Sequence, residues 1–279
     1  MSQSYIGNIV FNLTEDINNI TIIFNYSLTN CNFMFYNLNN IIKIDLSDFD
    51  SSEVTSMQRM FANNILLESI DLTNFNTIKV KDMCCLFCDC ITLTSLNLSS
   101  FKIPNAIDIS KMFINCLKLT ELDLSNFEAT SALFMAHMFQ ECQNLKFVNL
   151  SNFNSINALF IDNLFNDCFN LESIDLTNFK TTNVISMANL FVNCGNLKSL
   201  DLSSFDTSKV TNMGHIFCRC SSLTSLNLDN FKTNLVQFSD YMFSECSSLK
   251  FLDLNKFDTS SIINMEYMFY KCNSLTTLI

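Results

Sequence analysis

The stretch "LESIDLTNFNTIKVKDMCCLFCDCIT", residues 67–92, decides the fold, because the chain repeats its pattern at a constant 26-residue step. Leu46, Leu72, Leu98, Leu124, Leu150, Leu176, Leu202, Leu228 and Leu254 keep that step without an insertion or deletion. So do Phe49 through Phe257, Phe61 through Phe269 and Cys90 through Cys272. A strict period in this range predicts a solenoid, in which each repeat is one coil stacked on the last. Within the coil, Ile70 and Leu72 alternate with Ser69, Asp71 and Thr73, as in a strand with one buried face. Asn74 opens a polar turn and Phe75 returns inward. Val80, Met83, Leu86, Phe87 and Cys90 follow at steps of three, three, one and three, which predicts a short helical turn with its apolar side inward. With Leu67, these make nine core columns in 26, enough for one continuous interior. Only three Gly and one Pro are present, so the turns must use Asn, Asp and Ser.

The LxxLxL phrase resembles a leucine-rich repeat. "LDLSSFDTSKVTNMGHIFCRCSSLTSLNL" (Leu200 to Leu228) is similar, more closely, to the 26-residue repeats of BspA-like leucine-rich repeat surface proteins. The resemblance covers Ile41 to Ile279. It implies an α/β fold: a leucine-rich-repeat solenoid with a parallel concave sheet and short convex helices. It also implies a surface or secreted protein engaged in adhesion and protein binding. The chain departs from that family in lacking an obvious signal peptide or anchor, and in using Asn and Ile where Gly or Ser is common.

No linker interrupts the register, so one elongated domain is expected. Residues 1–17 read as an irregular N-terminal cap, in which Tyr5, Ile9, Phe11 and Leu13 cover the first coil. Residues 18–279 read as a single solenoid whose first repeat is degenerate and whose last is incomplete. Leu275 and Leu278 match the core columns of Leu67 and Ile70, and no polar segment follows them. Self-association through the C-terminal coil is the expectation, because an open strand edge is a template for pairing.

A net charge of −11 without a basic stripe repels phosphate backbones, which sets nucleic acid aside and disfavours anionic membranes. No run of 18 apolar residues occurs, so no membrane span is expected. Met1 to Asn12 lacks the basic and apolar regions of a standard signal peptide; as written the chain reads as intracellular, whereas the resemblance implies the cell surface. The odd total of 13 Cys favours a reducing compartment. The sequons at Asn12, Asn19, Asn25, Asn97 and Asn149 have meaning only in a secretory pathway.

Four groups of residues could carry chemistry. The column Cys90 to Cys272 reads as a small residue filling a tight corner of each coil, buried and reduced, rather than as a metal or redox ladder. Cys84, Cys85 and Cys88 form a denser cluster that could hold a soft metal, although a structural zinc site needs four converging ligands. His137 and His215 share one exposed column three coils apart, too far to ligate one ion, and read as solvated. The outward row Asp45, Asp71, Asn97, Asp123, Asn149, Asp175, Asp201, Asn227 and Asp253 reads first as a stacked hydrogen-bonded row, its repulsion relieved by water or cations. Partner binding and a glycosidase-like carboxylate pair are its alternatives. Phe147 and Phe251 stand on the same face where Ser usually sits, and are candidate anchors.

The sequence therefore predicts a non-catalytic protein-interaction or adhesion module that binds a basic protein through its concave face. Asp71, Asp123, Asp175, Asp201, Asp253, Phe147 and Phe251 are the candidate contact residues, and no motif implies a cofactor or metal. A hydrolase using the Asp pairs and a structural array assembling end to end are the other readings.

Overall fold

The computed structural model describes residues 26–279. The cap expected at 1–17 and the start of the degenerate first repeat lie outside the described residues. Strands β1 (Lys43–Asp45), β2 (Ser69–Asp71), β3 (Glu121–Asp123), β4 (Phe147–Asn149), β5 (Ser173–Asp175), β6 (Phe251–Leu252) and β7 (Thr277–Leu278) hold equivalent places in the coils. All pairs are parallel, with each residue opposite the one 26 positions on: Lys43 faces Ser69, Phe147 faces Ser173 and Phe251 faces Thr277. This is the solenoid and the strand position that the period predicts.

The sheet, however, is not continuous. It is divided into β1-β2, β3-β4-β5 and β6-β7. The coils without a strand read Ser-Leu-Asn at 95–97 and 225–227 and Ser-Leu-Asp at 199–201. Where strands form, the central residue is β-branched, as in Ile70, Val148 and Ile174, or the outer residue is larger than Ser, as in Glu121, Phe251 and Thr277. A small Ser beside an unbranched Leu offers little to pack across strands, so these coils stay open.

The unbroken ladder lies elsewhere in the coil. Parallel bridges run from Asn30 through Ser56, Asp82, Asp108, Phe134, Phe160, Ser186, Asn212 and Phe238 to Asn264. Directly after it the expected short helix is replaced by a string of turns, and the described residues contain no helix. Alternate N–H groups leave the coil. Met83, Cys85, Phe87 and Asp89 donate to Asp108, Ser110, Met112 and Ile114 of the next coil at 2.8, 2.9, 2.9 and 3.0 Å. The N–H groups between them close tight turns, Leu86 onto Met83 and Cys88 onto Cys85, at 3.1 and 3.2 Å. An α-helix would turn every N–H back within the coil. Here stacking claims half of them, and left-handed residues such as Cys85 (φ 58°) and Asp89 (φ 60°) redirect the chain every four positions. Asn or Asp fills the second left-handed column at 37, 63, 89, 115, 167 and 193, the residue types that tolerate it best after Gly.

The core is a bundle of ladders. One ladder of stacked rings runs from Phe35 to Phe269 through every coil, with neighbouring centroids between 5.1 Å (Phe139–Phe165) and 6.0 Å (Phe191–Phe217). The cysteine column runs beside it and does more than fill space. Each thiol donates to the carbonyl of the ring residue in the previous coil: Cys90 to Phe61 at 3.2 Å, Cys142 to Phe113 at 3.1 Å, Cys272 to Phe243 at 3.0 Å. A third ladder, invisible to apolar patterning, is polar. The hydroxyls of Thr77, Ser155, Thr181, Thr207 and Thr233 are buried and donate to a carbonyl of the next coil, at 2.7 Å for Thr77 to Lys102.

All 13 cysteines are free thiols. Burial pushes Cys90 and Cys142 up to about 12 and raises Cys116, Cys168 and Cys194 as well. Since the thiolate is the reactive form, the column is expected to resist iodoacetamide in the native state while the partly exposed Cys88 is alkylated. Mass mapping after a short pulse checks this; labelling of Cys116 or Cys168 as fast as Cys88 would contradict it.

Candidate functional site

The outward face of the strands carries most of the predicted contact residues. Ile70 and its equivalents turn inward, so positions such as Ser69 and Asp71 point to solvent. The acidic row is not stacked from coil to coil, as its spacing suggested. Each side chain instead bonds within its own coil and caps a turn. Asp71 Oδ1 accepts the Thr73 N–H at 3.0 Å and the Thr73 hydroxyl at 2.6 Å. Asp175 does the same with Thr177, at 3.0 and 2.7 Å. Asp123, Asp201 and Asp253 accept the N–H two residues on, each at 2.9 Å, and Asn97 and Asn149 do so at 3.0 and 3.1 Å. These are Asx turns, which in this chain replace the missing glycines.

The hydrogen bonds fix the charge state. Side-chain and backbone bonds from Thr73 and Thr177 hold Asp71 and Asp175 below the usual carboxylate range. Backbone and side-chain bonds from Ser47 and Ser203 do so for Asp45 and Asp201. A glycosidase pair needs one carboxyl group kept neutral by a raised pKa, and these four are shifted the other way. Because the folded values lie below the ordinary 3.8, this stabilisation is complete above that value and is lost as pH falls through the lowered values. Asp82 runs opposite, raised by burial, and its protonation removes the cost of a desolvated charge. Lowered groups outnumber it, so melting temperature is expected to hold down to about pH 4 and then fall. A melting temperature that is level or rising between pH 4 and 2.5 would contradict this.

Phe147 and Phe251 project from β4 and β6 and are 41% and 46% exposed. The sequence reading missed what precedes them. Lys146 and Lys250 are exposed beside the two rings, and Lys198 holds the same place in an intervening coil. The strand face is therefore mixed in charge, with cations at one edge of the acidic row. A scan for carboxylates alone does not see them; aligning every residue on the period does.

The other candidates are dispersed. His137 Nδ1 meets Gln140 Oε1 at 2.6 Å. His215 Nε2 lies 3.2 Å from Asp240, and its ring stacks on Tyr241, which stacks on Tyr267, at 4.7 and 4.9 Å. Both imidazoles are thus engaged by neighbours rather than simply solvated. Cys84 Sγ is 3.6 Å from Cys85 Sγ, while Cys88 Sγ turns to Asp89 Oδ2 at 2.9 Å. Among the described residues no group of three or more His, Cys, Asp or Glu side chains is placed to hold a metal ion. In the C-terminal coil Leu275 is half-buried and Leu278 is 49% exposed, against 9% for Ile70. No described helix is long and apolar enough to cross a membrane.

A family profile described as "Mycoplasma protein of unknown function, DUF285" matches residues 29–153 and 159–279, almost the whole run of coils. The chain belongs to this family. Its DUF285 coils have the 26-residue strand-and-turn form of a leucine-rich-repeat solenoid. Among solved structures, the chain is similar to the leucine-rich repeat protein TpLRR of T. pallidum, at 19% identity and a TM-score of 0.42, over 60% of this chain and 70% of that one. It is also similar to a leucine-rich cell surface protein of Faecalibacterium prausnitzii, at 17% identity and a TM-score of 0.30, over 85% of this chain and 82% of that one. A leucine-rich repeat protein of Eubacterium ventriosum matches at 16% identity and a TM-score of 0.34, over 88% and 77% of the two chains. No curated protein matches the sequence.

Proposed function

We propose that this DUF285 chain is a non-catalytic protein-interaction module, of the kind used in adhesion, that binds a basic protein through its strand face. Phe147 and Phe251 are its apolar anchors, and Asp71, Asp123, Asp175, Asp201 and Asp253 supply carboxylates around them. The observation that carries this reading is the departure of two outward positions from the repeat. Where most equivalents of Ser69 are small and two, Lys43 and Glu121, are charged, Phe147 and Phe251 are rings 41% and 46% exposed, and β4 and β6 still pair in register. β4 has the β-branched Val148 at its centre and so does not need the Phe147 ring to form, and exposed aromatics on a flat polar face serve as contact anchors.

Changing Asp123, Asp175 and Asp201 together to Asn tests the electrostatic half. Asn97 already caps the same turn, with Ser99 N–H at 3.0 Å, so the triple variant should fold normally. Partners captured on the intact chain at low salt should be recovered several-fold less on it, and less again when Phe147 and Phe251 are changed to Ser. Undiminished recovery by both variants would remove the strand face as the binding surface.

A further inference from the structure

The continuous bridge ladder carries a second surface with its own departure from the repeat. At this column Asp82, Asp108, Asn212 and Asn264 each accept the N–H two residues on, at 2.9, 2.9, 2.9 and 3.1 Å. Phe238 departs from it alone, whereas in two adjacent coils the column holds Phe134 and Phe160. A phenyl ring cannot make that bond, so these coils relinquish a turn cap and place a ring 40% and 37% exposed. The two rings stack at 6.3 Å with an interplanar angle of 4°. The neighbouring outward column is apolar at Ile107, Leu133, Leu159 and Ile185, in these two coils and one on either side, and again at Ile263, whereas other coils have Thr55, Lys81, Thr211 and Gln237. The backbone beneath is rigid, since Leu133, Leu159 and Ile185 each donate to the same column of the previous coil at 2.9 to 3.0 Å.

We propose that this strip is a docking site for the apolar face of a basic amphipathic helix supplied by another protein. Three coil steps span about 14 Å at roughly 4.8 Å each, the length of about nine to ten helical residues. Helix side chains at i, i+3 and i+4 recur about every 5 to 6 Å, nearly in step with the coils. The charge argument selects a basic partner. The column continues from the rings into Asp108 and Asp82; Asp82 feels the Asp108 charge as repulsion, and neither is in an ion pair among those the structure shows. Lys81, exposed beside Asp82, offsets one of these charges, and one cation at that end of the helix would balance the other. A second copy of this chain is a poorer occupant, because it carries a net charge of −11 and its described residues contain no helix.

The test uses the full chain and a fluorescent synthetic peptide of Leu and Lys in helical amphipathic register, read by anisotropy. Changing Phe134 and Phe160 to Ser, the residue at Ser56 and Ser186 in the same column, should weaken binding about tenfold or more while leaving the melting temperature unchanged. Changing Asp82 and Asp108 to Asn should flatten the salt dependence, and changing Phe147 and Phe251 to Ser should have no effect, which separates this site from the strand face. Equal affinity of the Phe134/Phe160 variant and the parent would overturn the proposal. So would a Leu/Glu peptide binding as tightly as the Leu/Lys one, or a dimer or vesicle-bound form that those two substitutions abolish.

Discussion

Phe139→Ala is expected to lower stability by about 4 kcal/mol, the scale of an unrelaxed aromatic cavity in a packed core. The ring is 1% exposed and lies between Phe113 and Phe165 at 5.6 and 5.1 Å, so its removal forfeits contacts on both faces. Collapse is opposed from both sides. The flanking backbones are tied coil to coil through Phe113 N–H to Met138 and Phe139 N–H to Leu164, both at 2.9 Å, and cannot close on the void. A solenoid also couples only nearest neighbours. The damage should therefore divide the array, and the urea transition should broaden or split rather than shift intact. Phe269→Ala, in a half-buried ring that among the described residues stacks on Phe243 alone, should cost about 1 to 2 kcal/mol by the same scale. A Phe139→Ala cost below about 1.5 kcal/mol with an unbroken two-state transition would mean that the ring ladder is not what holds the coils together.

The same ladders show what was legible in the sequence. Leu67, Ile70, Leu72, Phe75 and Phe87 announce themselves because burial acts on side chains, and side chains are what a period displays. Backbone partners are not displayed. Val80, Met83, Leu86, Phe87 and Cys90 have the spacing of a helical face, and a chain of overlapping turns with left-handed residues at Cys85 and Asp89 projects the same residues inward. Only the direction of the N–H groups distinguishes the two, and the next coil decides that. The broken sheet has a similar origin: Leu96 and Ile70 are equivalent by pattern, but the outer Ser and the unbranched chain decide whether a strand forms. For the candidate surfaces the period is informative in reverse. A residue that every coil shares, such as the Asp/Asn row, is explained by the coil, here as a turn cap. Residues that break their column, such as Phe147 and Phe134, are the ones the coil does not require. The strand-face pair was legible by this rule. The lateral pair was not, because without the bridge ladder nothing marks position 134 as outward.

Asn64 breaks its column too, but inward, and this makes it a test of the thiol ladder. It stands 26 residues before Cys90, wholly buried, and its amide donates to the Phe35 and Phe61 carbonyls, each at 2.8 Å. The Phe35 bond is the one that a thiol makes in every later coil. Asn64 Oδ1 in turn accepts the Leu38 N–H at 2.7 Å, a bond that no cysteine supplies. Phe61 O keeps the Cys90 thiol as a second donor, at 3.2 Å, so Asn64→Ala leaves the Phe35 carbonyl and the Leu38 N–H without their partners. Two unmet polar groups should cost about 2 to 3 kcal/mol in urea denaturation. Asn64→Cys should recover about 1 kcal/mol of that by donating to Phe35 O, while hydrogen exchange at Leu38 stays as fast as in the alanine variant. Cys also fills more of the site than Ala, so Asn64→Val, larger than Cys but without a donor, is the control: volume alone would make it at least as stable as Asn64→Cys. If Asn64→Cys proves no more stable than Asn64→Ala, the cysteines fill their corner and the hydrogen bonds from their thiols contribute nothing to holding one coil on the next.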